Sequence, residues 1–325
     1  MPSSSCAIAP SQAVIPVSVG TLLPDTVPGV ALYLSAGNDD TFLLYRSAEH
    51  SITASDLANL QSRGISTLYV SGADHRTYQE YLRQNLDCVL GDDSVPAARR
   101  IGCLNEVVRD VLGQVFRRGD LDGQMDQLKE LGQKTVGAIC RDDIVLADLR
   151  GVLYHDYHTF THSANVAFYC VMLARSLGIA NSRELSAIAM GGFLHDAGKL
   201  DIPAGLLTKP GRLDEDELKA VRQHPTLGFK RLCRRPDLSL GQLMMVYQHH
   251  EHLDGTGYPV RCVGDELHPW GRICAVADVF EALTSNRPYR AGFSISVACR
   301  MMQDQSGTSF DKDFLKCWMQ FVSKN

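Results

Sequence analysis

Apolar positions divide the chain into two textures. Up to about residue 95 they come in short runs. Residues 13–19, 31–35 and 41–46 are rich in strand formers, and Gly37-Asn38-Asp39-Asp40 supplies a turn between the last two, which reads as a hairpin. Thr53 and Ser55 can cap a helix running to Arg63, where Gly64 ends it. Residues 65–70 read as a further strand and 73–86 as a helix. This is a small α+β unit over residues 13–95, preceded by a Ser-, Ala- and Pro-rich stretch, 1–12, that reads as a disordered tail. The turn-rich run Gly91 to Pro96 marks a boundary.

Beyond that boundary the period lengthens. Ile101, Leu104, Val107-Val108, Val111-Leu112 and Val115 recur at helical spacing, and a second helix is expected over roughly 125–150, so 96–150 reads as a pair of connecting helices. Residues 151–325 form the remaining, helical unit. Asp156 is placed to cap a helix reaching Leu177. Its apolar stripe is Val166, Tyr169-Cys170, Leu173 and Leu177, and stepping back by four residues reaches His162 and then His158, so both histidines fall on the core face. Asn181 and Glu184 suit a capping box for the next helix, whose stripe of Leu185, Ile188 and Gly192 leads to His195-Asp196. Asp214 caps a short acidic helix that runs toward His224-Pro225. Residues 238–247 make an apolar helix that enters His249-His250, and 272–283 another, with Asp278 beside its stripe. Helices at 296–303 and 310–322 complete the cover. The expected class is mainly α, with a smaller α+β N-terminal domain.

Composition narrows the function. The 325 residues carry 45% hydrophobic and 21% charged side chains, enough apolar material for a real core. A net charge of −5 argues against a polymeric nucleic-acid or membrane-surface binder, which would carry a basic excess, and leaves room for a small anionic ligand on a local basic patch. Ten cysteines occur without a C-x-x-C pair, no stretch approaches the ~18 apolar residues of a membrane span, and residues 1–20 lack the pattern of a signal peptide. Free thiols in a reducing cytoplasm follow as the expectation.

The run from His249 to Pro259 holds three histidines and two carboxylates within six residues, followed by a glycine turn ending in Gly257-Tyr258-Pro259. Each such group needs a partner once buried, and a metal ion is the common one. The candidate ligands are His162, His195, Asp196, His224, His249, His250 and Asp278. A lone histidine on an apolar face is more often a hydrogen-bonded core residue. His224 before a proline suits a helix cap, and Asp278 a buried ion pair. As a set, five imidazoles and two carboxylates exceed what one tetrahedral site needs. The mixture suits iron or manganese better than a thiolate-preferring zinc site, and Asp196 as a bridging carboxylate would hold two metals about 3.5–4 Å apart, the spacing of phosphoester hydrolysis.

The order His162, His195-Asp196, Asp278 resembles the HD phosphohydrolase superfamily. The added His224, His249-His250 and Gly257-Tyr258-Pro259, with Lys199, Lys209-Pro210-Gly211 and Arg287-Pro288-Tyr289-Arg290, resemble its HD-GYP family of bacterial cyclic di-GMP phosphodiesterases, over about residues 125–322. The resemblance implies an all-helical catalytic domain with a centre of two or three divalent ions, usually iron or manganese. It implies Asp196 as the bridge, His162, His195 and Asp278 completing one metal, and His224, His249 and His250 serving the other or others. It places Lys199 beside the scissile phosphate, Arg287 and Arg290 on the dinucleotide, and Gly257, Tyr258 and Pro259 in the pocket. Outside the resemblance, Lys199 reads as a solvated lysine and the two arginines as helix-end charges. Members with three metals place a glutamate four residues before the first histidine; His158 stands there in this chain, so two metals are expected and His158 is the candidate extra ligand. His155, His252 and His268 are read as non-ligands, and Glu251 and Asp254 as supporting or loop-fixing groups.

The leading expectation is hydrolysis of cyclic di-GMP to the linear dinucleotide and onward to GMP. The alternatives are a phosphodiesterase for another cyclic dinucleotide, such as cyclic GMP-AMP, and a non-catalytic adaptor that binds the ligand and reports it. The adaptor would be free to lose ligands, and the ligand set is intact. The N-terminal unit and the connecting helices are the expected places for a homodimer contact or a signalling partner.

Overall fold

A computed structural model of the chain describes residues 14–37, 41–141, 159–209, 211–287 and 290–323. It forms two units that divide between Cys103 and Leu104. The division falls inside a helix, past the turn-rich run that the sequence offers as a boundary.

In the first unit, strands β1 (Val14–Ser18), β2 (Leu32–Ser35), β3 (Phe42–Arg46) and β4 (Thr67–Ser71) form one antiparallel sheet in the order β1-β4-β2-β3. The expected hairpin is β2–β3, with a register shift between Leu32 and Tyr33. Helix α1 (Ala54–Ser62) starts at Thr53, whose hydroxyl accepts from Asp56 N while the Asp56 carboxylate accepts from Thr53 N, a reciprocal cap. Helix α2 (His75–Gly91) runs one turn beyond its expected end, because Val89 continues the buried series Tyr78, Tyr81, Leu82 and Leu86. The hydroxyl of Tyr81 accepts from Leu23 N at 2.9 Å and so ties α2 to the segment after β1.

The second unit is helical: α3 (Ala97–Arg118), α4 (Leu121–Arg141), α5 (Thr159–Ser176), α6 (Ser182–Leu194), a 3-10 turn (Ala197–Asp201), α7 (Ala204–Leu207), α8 (Glu215–Val221), α9 (His224–Leu232), α10 (Leu240–Gln248), α11 (Pro269–Thr284), α12 (Ile295–Gln303) and α13 (Lys312–Ser323). Residues 142–158, which include Asp156, His155 and His158, lie outside the described residues, and with them the expected continuation of α4 to 150 and the expected cap of α5. Helix α4 packs on α6 and is part of this core.

Helix α5 is the hub. Every residue from Thr161 to Ala174 is buried, where the sequence suggests a single stripe. A helix apolar all round belongs in the middle of a core, and α5 packs against α6, α11 and α13. An aromatic trio locks three of these elements: Tyr169 of α5, Phe280 of α11 and Trp318 of α13 lie with ring centroids 4.9–5.6 Å apart in edge-on arrangements. Phe280 stands between Asp278 and Glu281, so this contact also sets which face of α11 meets His162. Helix α11 starts at Pro269, earlier than the apolar period suggests, with a proline in its first turn and His268 as its cap, the imidazole accepting from Trp270 N. Among the described residues no helix is long and apolar enough to cross a membrane, and none of the nine described cysteines is in a disulfide.

Candidate metal centre

Six elements deliver the candidate ligands by their ends or buried faces. His162 comes from the second turn of α5. His195 follows the last turn of α6, and Asp196 opens the 3-10 turn. His224 is the first residue of α9, His249 and His250 follow α10, and Asp278 sits mid-way along α11. His195, Asp196, His224 and His249 are each at most 2% exposed. The approach of the 3-10 turn to α9 is close: a Cβ at Gly198 would collide with the His224 carbonyl and lie 2.5 Å from Gly228 N. Gly198→Ala is therefore expected to push His224 away from Asp196 and to destabilise the fold by roughly 1–3 kcal/mol, the usual penalty of overpacking; thermal melting with metal titration checks both effects.

The imidazoles are oriented for coordination. His195 Nδ1 donates to Gly192 O at 2.8 Å, His224 Nδ1 to Val221 O at 2.8 Å, and His249 Nδ1 to Met245 O and Val246 O at 3.0 Å each. A carbonyl only accepts, so each ring keeps its proton on Nδ1 and presents a bare Nε2. These nitrogens then meet head-on: His224 Nε2 and His249 Nε2 are 3.1 Å apart, and His195 Nε2 and His162 Nε2 are 3.2 Å apart. The bare nitrogens of His224 and His249, aimed at one another at that distance, call for a cation.

Two groups result, His162-His195-Asp196 and His224-His249-His250. Asp196 spans them: Oδ2 faces His195 Nε2 at 3.5 Å and His162 Nε2 at 3.7 Å, while Oδ1 faces His224 Nε2 at 3.3 Å. Asp278 does the same from the other side, with Oδ1 3.0 Å from His162 Nε2 and Oδ2 3.7 Å from His250 Nδ1. Burial keeps the rings in the neutral, metal-binding form: it lowers His195, takes His224 down to about 3 and His250 to about 4, and holds His249 well below its ordinary value. His162 goes the other way. Burial opposes its charge, but the Glu281 and Asp278 carboxylates outweigh burial and raise it to about 9. Burial also resists ionisation of Asp196 and Asp278, yet Lys199 and the histidines around Asp196, and His162 and the other imidazoles around Asp278, hold both well below the carboxylate range. A donor set of imidazoles and carboxylates that can stay charged and neutral in these roles fits divalent metal ions.

A cleft of about 290 Å³ opens onto this cluster, lined by His162, Asp196, Lys199, His250, Asp278, Val279, Ala282, Leu283, Arg287 and Arg290. Lys199 Nζ donates to Asp196 Oδ2 at 2.6 Å. Arg287 Nη2 lies 3.6 Å from Glu281 Oε2. Arg290 spends its guanidinium on carbonyl oxygens, Ala282 O at 2.6 Å, Leu283 O at 3.2 Å and Ala291 O at 3.1 Å, and so closes the C-terminal end of α11.

The Gly257-Tyr258-Pro259 loop stands behind His250, and none of its residues lines that cleft. The Tyr258 ring stacks on the His250 ring at 4.7 Å, with the Arg222 guanidinium 5.2 Å from the Tyr258 ring centroid. Gly257 permits the loop to fold back, since a Cβ there would strike Glu251 Cα and the His250 carbonyl at 2.5 Å. Glu251, buried, accepts from Val260 N, Arg261 N and Cys262 N and fixes the chain after the loop, including Arg261 at a φ of 64°. Asp254 caps its own turn through Thr256, and His252 is hydrogen-bonded to the Thr256 hydroxyl. One buried group has no place in the sequence reading: Glu281, 1% exposed, whose carboxylate faces His162 Nδ1. Its signal was its spacing, three residues after Asp278 on the same helix face.

Comparison with known proteins adds the following. A family description, "HD domain", matches residues 152–314. The chain is 31% identical over 244 residues to the cyclic di-GMP phosphodiesterase response regulator RpfG of Xanthomonas campestris, covering 69% of this chain and 63% of that protein. It is 39% identical over 157 residues to the 3'3'-cGAMP-specific phosphodiesterase 3 of Vibrio cholerae, covering 48% of this chain and 34% of that protein. The chain thus spans less than two thirds of these curated relatives. The solved structure of Bd1817, a HDG"Y"P protein from Bdellovibrio bacteriovorus, superposes with a TM-score of 0.69 over 96% of this chain and 99% of that one, at 18% identity, a likeness of fold.

Proposed function

The chain belongs to the HD domain family, and from that premise we propose that it is a member of the HD-GYP branch that hydrolyses cyclic di-GMP as a metal-dependent phosphodiesterase. The observation that carries the reading is Asp196, whose two carboxylate oxygens face two separate groups of imidazoles. His162, His195 and Asp278 would hold one ion and His224, His249 and His250 the other, with Asp196 shared. Iron or manganese suits this oxygen and nitrogen set, and two such ions, when bound, would neutralise a phosphodiester and supply a hydroxide near neutral pH.

The chain's own groups do the rest. Lys199 stands at the cleft mouth, 22% exposed, with its ammonium on the bridging carboxylate. A phosphate arriving beside Asp196 meets that ammonium, which steadies the developing charge and can give a proton to the leaving oxygen. Arg287 lines the same cleft, and its planar guanidinium suits a phosphate edge or a guanine face. At about 290 Å³ the cleft is at the low end for a small-molecule site, so it takes the reacting phosphate while the remainder of the dinucleotide lies over its rim.

The test is product analysis with the full chain loaded with Mn²⁺ or Fe²⁺ and incubated with cyclic di-GMP. Linear dinucleotide is expected, followed by GMP; no product with any metal overturns the reading. A second substrate is favoured by the 39% identity to a 3'3'-cGAMP-specific enzyme. The ratio of kcat/KM values for the two cyclic dinucleotides in the same preparation decides which is the principal substrate.

A further inference from the structure

Three buried polar side chains lead from α3 to the metal centre. Asn105 Nδ2 on α3 donates to Asn165 Oδ1 on α5 at 3.4 Å, and Asn165 Nδ2 donates to Glu281 Oε1 on α11 at 3.2 Å. Glu281 Oε2 then accepts from His162 Nδ1 at 2.5 Å, and Ser285 Oγ donates to Glu281 Oε1 at 2.6 Å. Asn105 and Asn165 are 0% exposed and Glu281 is 1% exposed. A carboxylate accepts only, so Asn165 must turn its amide nitrogen to Glu281 and leave its carbonyl for Asn105. Glu281 in turn keeps the proton of His162 on Nδ1 and aims the ring. Unlike the other three oriented imidazoles, which lean on backbone carbonyls three or four residues earlier in the chain, His162 takes its orientation from a side chain on a distant helix. Burying three such groups is unfavourable where apolar side chains of similar size could pack, which points to a purpose other than stability.

We propose that Asn105, Asn165 and Glu281 form a positioning relay that sets the aim of His162, so that a change on α3 alters how tightly the centre holds its metal. The proposal rests on the metal-centre reading and is independent of the substrate. Glu281 is the positioning residue in contact with the ligand, and the two asparagines act through it. Losing the group that orients a ligating histidine typically lowers metal affinity 10–100-fold. An aspartate at 105 would reverse the relay: Asn165 would turn its amide to the new carboxylate and present its carbonyl to Glu281, acceptor against acceptor.

The experiment titrates Mn²⁺ into metal-free full-length protein against a chelating indicator, alongside melting of the metal-free form. Glu281→Ala is expected to weaken Mn²⁺ binding by about 10–100-fold, Asn165→Ala and Asn105→Asp by about tenfold, and Glu281→Gln to recover part of the loss by keeping one acceptor for His162. Should Asn105→Asp fail to fold, Asn105→Ala serves in its place, with a loss of a few-fold expected. A role confined to packing predicts lower melting temperatures with unchanged Mn²⁺ affinity, and that result overturns the proposal. Weakening by Glu281→Ala alone also overturns it, leaving a local contact without a relay. Wild-type protein that binds no Mn²⁺ would instead overturn the metal-centre reading beneath it.

Discussion

Asparagine at position 196 is expected to reduce phosphodiester hydrolysis by about a thousand-fold or more, equivalent to about 4 kcal/mol of transition-state stabilisation, and to lower metal content. The side chain keeps its shape, so the reason is chemical. Asp196 turns one oxygen to His195 and His162 and the other to His224. An amide has one oxygen, and its nitrogen would donate a hydrogen bond to whichever imidazole lone pair it faces, blocking that ligand. The substitution also removes the anion beneath the Lys199 ammonium, 2.6 Å away, leaving a positive charge at the place where a metal ion should bind. Elemental analysis of metal per chain, read beside turnover, checks this. A variant that keeps full metal content and more than a tenth of the activity would remove Asp196 from the bridging role.

The sequence exposes the ligands because they break its own pattern. His162 and His195 extend apolar stripes, and His249-His250 interrupt an apolar helix, so each stands out against a hydrophobic background. The structure gathers all seven candidates into two groups joined by Asp196 and Asp278. Glu281 escapes the same reasoning because a glutamate inside a helix ordinarily marks the wet face; only the packing of α11 against α5, with Phe280 wedged on Trp318 and Tyr169, turns it inward. Arg290, which the resemblance places on the dinucleotide, lines the cleft and also makes three bonds to carbonyl oxygens, which depend on how the chain turns after α11. Helix α5 shows the limit of periodicity. A stripe predicts one buried face, whereas alanines and serines between the stripe positions allow close neighbours on the others, and the whole helix is enclosed. His158, the candidate for a third ion, falls outside the described residues, so the choice between two ions and three belongs to elemental analysis.

The metal-free protein is expected to be most stable near pH 6.5 and to lose stability in both directions, more steeply toward acid. His224 and His250 are pushed by burial down to about 3 and about 4, from an ordinary value of 6.5. Between pH 6.5 and those values the unfolded chain binds protons that the folded protein refuses, so stability falls as pH falls. Each imidazole contributes up to ~1.4 kcal/mol per pH unit across its window. His195 and His249, also lowered by burial, act in the same direction. Asp196 and Asp278, held low in the fold, add their loss once pH drops through the ordinary carboxylate range. His162 supplies the alkaline limb between pH 6.5 and 9. Raised to about 9 by Glu281 and Asp278 against the effect of burial, it keeps a proton that the unfolded chain has released above pH 6.5. Its contribution is full below 6.5 and lost as pH rises through 9. Several imidazoles against one make the profile asymmetric. Metal ions bound to the same nitrogens compete with protons, so loading with Mn²⁺ should shift the acid limb to lower pH. Melting temperatures of chelator-treated and Mn²⁺-loaded protein, measured from pH 4.5 to 9.5, give the comparison. Coincident curves for the two forms would mean that the cluster holds no metal, and a flat metal-free profile that its histidines titrate as ordinary exposed groups.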